Sequence, residues 1–455
     1  MNRLDKYFST IDSVNHTTFD PKGPGVIRIH LVPPKNIRNG VPWVVVVNGE
    51  NILPVNTAWG VIINELIKGI NSTNGRQLTD EDFKALMDSI IKNVSKVYSF
   101  VPKKIIKEDT KDIIDVLVAI ANRKKPHLDI GYLTLKEYAE NLRAPLRMDL
   151  MVSAMEKDGV WNCNQKCVHC YAANQKFSNV KSLSTNDWLN IIDKLYKAGV
   201  TQLTFTGGEA TLREDLVTLV EHSKYFVTRL NTNGVLLSKK LCEELYNASL
   251  DNVQITLYSS DPSIHNILTG SNNYNKTIEG IKNAIEAGLN VSINTPLCAL
   301  NKDYKKTLEF LKELGVVYFT CSSIIETGNA TLDESVKTRL TSNELLTIVK
   351  DAKEYCNNNN LYMDFTTPGA IDKEELEKNN MNNPICGACL SNMAIAPNGD
   401  VMPCQSYLSY ESLGNLKNES WKTIWESNKT KIIRDRAIRI ENGCLLSLFN
   451  GDGNE

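Results

Sequence analysis

WNCNQKCVHCYAA, residues 161–173, puts Cys163, Cys167 and Cys170 on one short loop in the spacing Cys-x3-Cys-x2-Cys. Three thiolates this close can wrap one face of an iron–sulfur cubane and leave an iron open to a further ligand. The same spacing also suits a zinc knuckle, with His169 or a more distant residue as fourth ligand. The surrounding chain bears on that choice. From Met148 to about Ala330, β-like runs at 150–155, 202–206, 226–231, 253–258, 290–296 and 316–321 alternate with helical segments centred on 185–198, 213–223, 238–248, 275–287 and 303–314. Gly199, Gly288 and Gly315 each stand where a helix would stop before the next strand. Repeated βα units imply a parallel sheet with its functional groups at the C-terminal ends of the strands. Six units fall short of the eight of a closed barrel, so the expected α/β core is an open, partial (βα)6 barrel.

The second strand ends in FTGGEAT, with Gly207, Gly208 and Glu209. Glycines allow close backbone approach, and a carboxylate accepts hydrogen bonds from an ammonium group. Glycine pairs at strand ends are common turns, so this motif is weak by itself. Together with the cysteine loop one βα unit earlier, it resembles the radical S-adenosylmethionine (SAM) superfamily. The resemblance implies a [4Fe–4S] cluster on Cys163, Cys167 and Cys170, with SAM chelated at its open iron. It sets His169 against the adenine and gives Gly207, Gly208 and Glu209 the methionyl ammonium. Thr232 and Asn233, in LNTNG after the third strand, would contact the ribose; Thr256 and Asn294 are further polar contacts. Many relatives carry an acidic residue where this chain has Tyr258, which turns that position toward the substrate.

A second cysteine set lies near the C-terminus, in CGACLSNMAIAPNGDVMPC: Cys386, Cys389 and Cys404, with Cys444 forty residues on. By spacing alone, four thiolates suit either an iron–sulfur cluster or one structural zinc. The run Cys-x9-Gly-x4-Cys, followed by Leu413-Gly414-Asn415 and SWKTIWES, resembles the SPASM/twitch extension of radical SAM peptide-modifying enzymes. No cysteine follows Cys444 in this sequence, which implies a shortened extension holding one auxiliary [4Fe–4S] cluster on these four residues. Of the isolated cysteines, Cys242 and Cys356 read as small apolar residues. Cys298 and Cys321, at the ends of strands five and six, are expected to face the site and touch substrate.

Upstream, VIRIHL (26–31) and WVVVVN (43–48) read as strands around a Pro/Asn/Gly-rich turn, followed by helices at 56–68, 79–97 and 107–122 and a basic linker at 123–127. This winged-helix-like α+β pattern is similar to the PqqD-like peptide-recognition domain, in which case an edge strand such as 43–48 would take a leader peptide by β-augmentation. The expected segments are 1–135 for recognition, 136–340 for the barrel, 341–385 as a bridge and 386–455 for a loop-rich auxiliary-cluster domain. At 455 residues the chain has room for about three domains. Its 51 Lys and Arg nearly balance 53 Asp and Glu, so no basic field calls for nucleic acid or an anionic membrane. The N-terminus shows no apolar signal core, and the expected location is cytoplasmic.

The whole arrangement looks like enzymes that modify ribosomally made peptides. It implies a 5′-deoxyadenosyl radical that abstracts hydrogen from a leader-bearing precursor peptide to form a thioether crosslink, with a reducing donor such as flavodoxin or ferredoxin. The competing readings are a carbon–carbon crosslink, an epimerised residue or a different substrate for the same machinery, and an iron–sulfur protein that only carries electrons or binds.

Overall fold

Trp43–Val47 is buried at all five positions, where the strand of a one-sided sheet would alternate. The computed structural model, which describes residues 3–11, 14–19, 26–34, 42–76, 78–157 and 160–446, gives the reason. Strands β1 (Asn15–Phe19), β2 (Ile27–Val32), β3 (Trp43–Val47) and β4 (Asn51–Val55) form an antiparallel sheet in that order. One face, with Ile29, Leu31, Val45, Val47 and Leu53, packs on helices α1 (Arg3–Phe8), α2 (Thr57–Ser72), α3 (Asp80–Val97) and α4 (Lys103–Ala121). The other face, with Val32, Val44, Val46 and Ile52, joins the core of the next unit. The sheet is covered on both sides, so alternation disappears.

Two expectations are corrected here. Four strands stand where two were read, and β3 lies between β2 and β4, so 43–48 is not an edge. Neither true edge is a bare ladder. The His16 carbonyl of β1 accepts a hydrogen bond from Asn71 (2.8 Å), while β4 carries Pro54, and its Ile52 carbonyl accepts the Leu133 N–H (2.9 Å). The Pro/Asn/Gly-rich turn between β2 and β3 lies largely outside the described residues, as do residues 447–455 at the end of the expected C-terminal segment.

The central sheet contains β5 (Arg147–Ser153), β8 (Gln202–Gly207), β9 (Val227–Thr232), β10 (Asn252–Thr256), β11 (Val291–Pro296) and β12 (Tyr318–Ser322), the six strands read from periodicity. Two short strands, β6 (Glu156–Lys157) and β7 (Val160–Trp161), form a hairpin after β5. The sheet is larger than expected, in the order β13-β12-β11-β10-β9-β8-β5-β14-β15. Strand β13 (Tyr362–Phe365) comes from the segment expected only to bridge, after the helix Ser342–Asn358. Strand β14 (Asn392–Ile395) comes from the second cysteine-rich segment and pairs in parallel with β5; β15 (Val401–Met402) turns back antiparallel to it. The cluster segment therefore grows out of the barrel's own edge.

Leu150, Leu203, Phe205, Leu230, Val253, Ile255 and Ile293 point outward from these strands and are fully buried under the crossover helices. Each such side chain contributes roughly 1.5–3 kcal/mol. The inner face is polar, with Asp149, Thr204, Thr206, Arg229, Asn231, Gln254, Thr256 and Asn294 lining a lumen. The N-terminal unit closes the floor of that lumen, where the strands begin. There Arg28, fully buried, pairs with Asp251 and donates to the carbonyls of Lys224 (3.2 Å) and Ser249 (3.3 Å). The Gly49 carbonyl, in the β3–β4 turn, accepts a hydrogen bond from Gln202 (2.7 Å). Among the described residues no helix is long and apolar enough to cross a membrane.

Candidate active site

At the opposite end the strand termini open on a cavity of about 870 Å³. The cysteine loop between β7 and the helix Thr185–Ala198 forms one wall. Its backbone is tied down from two sides. The N–H groups of Lys166 and Val168 donate to the carbonyls of Thr269 (2.9 Å) and Leu268 (3.0 Å). On the other side, the Asn329 side-chain amide donates to the Cys167 carbonyl (3.0 Å), the Asn329 N–H to the Cys170 carbonyl (3.0 Å) and the Ser335 hydroxyl to the Val168 carbonyl (2.8 Å). Gly328 sits against the loop at φ +61°, and a Cβ there would lie 2.5 Å from the carbonyl oxygens of Cys170 and Tyr171. Sequence reasoning missed this clamp, because a Gly-Asn pair in a loop after the sixth strand has no spacing rule to reveal it.

Gly207 ends β8 at φ +138°, with its missing Cβ 2.4 Å from the Ser153 carbonyl oxygen, so no larger residue fits beside β5. The chain then turns so that the Glu209 N–H donates to the Ser153 hydroxyl (3.1 Å) and the Glu209 carboxylate lines the cavity. That carboxylate accepts from the Thr211 N–H (3.0 Å) and hydroxyl (2.6 Å), the Thr232 hydroxyl (2.6 Å) and the Asn233 N–H (2.9 Å). Thr232 and Asn233, read as ribose contacts, here orient Glu209. The Asn233 amide also reaches Asn164 of the cysteine loop. A second polar chain runs deeper: the Thr320 hydroxyl donates to Asn294 (2.9 Å) and accepts from Gln254 (3.1 Å). Thr256 lines the cavity on the same side.

His169 lines the cavity between the last two cysteines. Its Nε2 bonds the Thr338 hydroxyl (2.7 Å), its buried Nδ1 has no partner among the described residues, and burial, with help from Arg339, lowers its pKa to about 4. The Tyr258 ring lies 6.3 Å from it and also lines the cavity. Two expected residues do not. Cys298 is buried beside Tyr258 and Leu268, in the small core that backs Cys167. Cys321 points through the other face of β12 to Met363 (3.8 Å), because Thr320 and Ser322 take the inward positions of an alternating strand.

The second cysteine set opens on the same space. Cys386, Cys404 and Cys444 line the cavity, with Cys389 fully buried behind them. The two sets are bridged by Tyr171, whose hydroxyl donates to Gln405 (3.1 Å), and by the Phe177 N–H, which donates to the Leu408 carbonyl (2.9 Å). Burial pushes the thiols of Cys163 and Cys404 up to about 12 and raises those of Cys167, Cys170 and Cys389. A thiolate in so dry a place needs a cationic partner, which a metal provides. Cys386 goes the other way, downward, because the Cys444 thiol donates a hydrogen bond to it. Among the described residues no three His, Cys, Asp or Glu side chains draw together around a single ion. A tetrahedral zinc would need its sulfurs within roughly 4 Å of one another. Six of the seven cysteines line this one cavity, and thiolates are the ligands that hold iron–sulfur clusters.

Residues 162–311 match the radical SAM superfamily, and residues 386–445 match SPASM, an iron–sulfur cluster-binding domain. With the radical SAM domain at its centre, the chain is an enzyme. It is 35% identical over 159 residues to a probable GTP 3′,8-cyclase of Saccharolobus solfataricus, a match covering 34% of this chain and 51% of that protein. A probable GTP 3′,8-cyclase of Thermococcus kodakarensis is 30% identical over 159 residues, covering 34% and 52%. The chain thus spans about half the length of the curated relatives it matches. In structure it is similar to Streptococcus suis SuiB bound to precursor peptide SuiA, with TM-score 0.60 at 16% identity over 90% of this chain and 94% of that one. It is also similar to anSMEcpe with bound AdoMet, with TM-score 0.51 at 18% identity over 65% and 81%. At such identities the likeness shows a shared fold. The first domain implies SAM and a [4Fe–4S] cluster, the second an auxiliary iron–sulfur cluster.

Proposed function

We propose that this enzyme is a radical SAM peptide maturase that forms a thioether crosslink in a ribosomally made precursor peptide. The observation that carries the reading is the cavity of about 870 Å³ on which both cysteine sets open. The fold shared with SuiB, a protein solved with its precursor peptide, supports a peptide substrate. Cys163, Cys167 and Cys170 would hold the SAM-binding cluster, and Cys386, Cys389, Cys404 and Cys444 the auxiliary one. Glu209, positioned by Thr232 and Asn233, would receive the ammonium of SAM, and His169 would lie against the adenine. When bound, SAM and the two clusters supply a radical that removes hydrogen from a peptide carbon and a sink for the electron released as the new bond closes. The polar inner face and the clamped cysteine loop would orient the substrate. A one-electron donor such as flavodoxin or ferredoxin is the expected partner.

The test uses enzyme reconstituted with iron and sulfide, reduced anaerobically and given SAM with the short peptides encoded beside its gene. The expected products are 5′-deoxyadenosine and a peptide lighter by two hydrogens whose cysteine no longer alkylates. A peptide equally lighter but still alkylated would replace the thioether by a carbon–carbon bond. Absence of 5′-deoxyadenosine from cluster-loaded enzyme would overturn the reading.

A further inference from the structure

Below the strand termini most polar side chains of the lumen satisfy one another, through the Gln254–Thr320–Asn294 chain on one side and the pair Arg147–Asp149 (3.0 Å) on the other. Arg229 and Asn231 are left out. Among the described residues neither the Arg229 guanidinium nor the Asn231 amide group donates a hydrogen bond or makes an ion pair, and both line the cavity. Arg147 stays engaged with Asp149, through Nε (3.0 Å) and Nη2 (3.4 Å). All three residues line the cavity that the two cysteine sets share. Their placement follows from register. Asp149 lies opposite Thr204 and Thr204 opposite Arg229, so these side chains form one inward rung, with Asn231 on the rung above.

A guanidinium presents five N–H donors in a planar fork that matches a carboxylate, and leaving it bare in a protein interior is costly. Here burial and the like charge of Arg147 push the Arg229 pKa down, against the weaker pull of Asp149 and Glu50, neither of which reaches it as an ion pair. We propose that Arg229, with the Nδ2–H of Asn231 on the rung above, forms a carboxylate subsite in the floor of the cavity. It seats either an acidic side chain or the free C-terminal carboxylate of the substrate. The proposal rests on the peptide reading above and adds a specificity to it. Arg229 precedes Thr232 by three residues on β9, so its Cα lies about 10 Å below the site at ~3.3 Å per residue. An acidic side chain reaching down to the Arg229 fork would hold its peptide backbone near the strand termini, where the reacting carbon must stand.

Three probes titrated into cluster-loaded enzyme by calorimetry test this: N-acetyl-glutamate α-amide, N-acetyl-alanine and the neutral N-acetyl-glutamine α-amide. At least one carboxylate probe should bind roughly tenfold or more tightly than the glutamine probe, as charge-assisted bidentate pairing predicts. Which of the two binds better tells a side-chain carboxylate from a terminal one. Arg229→Gln should abolish the preference, and Arg229→Lys should keep part of it. Without probe, Arg229→Gln should melt no lower than the parent, because the guanidinium has no internal partner to lose. Equal binding of glutamate and glutamine probes, or a preference that survives in Arg229→Gln, overturns the subsite. So does a melting temperature several degrees lower in that variant, which would mark a structural cation. SAM cleavage by the parent in the same preparation tests the maturase reading separately: cleavage without carboxylate preference sinks the subsite alone.

Discussion

Replacing Arg28 with Met tests what fastens the N-terminal unit to the floor of the barrel. The Arg28 side chain is fully buried and pairs with Asp251, which is 14% exposed. Burial pushes both toward neutrality, Asp251 upward and Arg28 downward, and their attraction opposes that shift. Such a pair adds little net stability, but halving it strands a charge, which costs about 3–5 kcal/mol. In Arg28→Met the Asp251 carboxylate keeps only the Thr228 N–H (2.7 Å) and hydroxyl (3.1 Å) among its present protein donors. At roughly 2–4 °C per kcal/mol for a unit of 150–250 residues, the melting temperature should fall by about 6–20 °C. Adding Asp251→Asn removes the stranded charge, so the double variant should recover much of the loss, with a clearly non-additive cycle. Calorimetric melts of the four proteins read this directly. Because the pair lies at the end of the strands remote from the cysteine sets, 5′-deoxyadenosine formation below the melting range should not change. A single variant melting within about 2 °C of the parent, or two effects that simply add, would refute the reasoning.

Acid should loosen the same interface through His16, which is fully buried, bonded to His30 (2.6 Å) and to the Tyr196 carbonyl (2.8 Å), and lowered by burial from 6.5 to about 4. The unfolded chain takes up this proton first, so the stabilisation is complete above about pH 6.5 and is lost as pH falls toward about 4, to a limit of about 3 kcal/mol. His169 and His265, also lowered to about 4, add to the slope, so the check is a shallower pH dependence of urea stability in His16→Gln; an unchanged slope would contradict it. Gly328→Ala should cost the first cluster, since φ +61° and two carbonyl oxygens 2.5 Å from the new Cβ force the cysteine loop to move. Iron should fall from about eight toward roughly four per chain in a metal assay, whereas full iron with normal SAM cleavage would show that the clamp is dispensable.

Much of the core was legible because its signals are local. Cysteine spacing, the Gly-Gly-Glu turn and the 2.0 and 3.6 periodicities each involve residues a few positions apart, and all six expected strands appear within a few residues of their places. Strand β13 escaped notice because YMDF is four residues long and half exposed. Strand β14 was hidden inside a motif read for its cysteines. Cys321 was placed on the wrong face even though alternation with Thr320 and Ser322 could have corrected it.

The sequence by itself determined the chemistry on offer: two thiol sets, a carboxylate after a glycine pair, and a parallel α/β scaffold to carry them. Only the tertiary structure decided what those groups meet. Register across β5, β8 and β9 turns Arg229 into the lumen, without a partner among the described residues. The pairing of β14 with β5 brings the second thiol set to the same cavity as the first. Pairing with β2 on one side and β4 on the other makes a central strand of what reads as an edge. Each of these depends on hydrogen-bonded pairing between segments tens to hundreds of residues apart, and one step of register would send every inward side chain to the opposite face. Local spacing carries no information about that step, so the choice of which polar groups are left unsatisfied, and hence what the cavity can bind, is made by the fold.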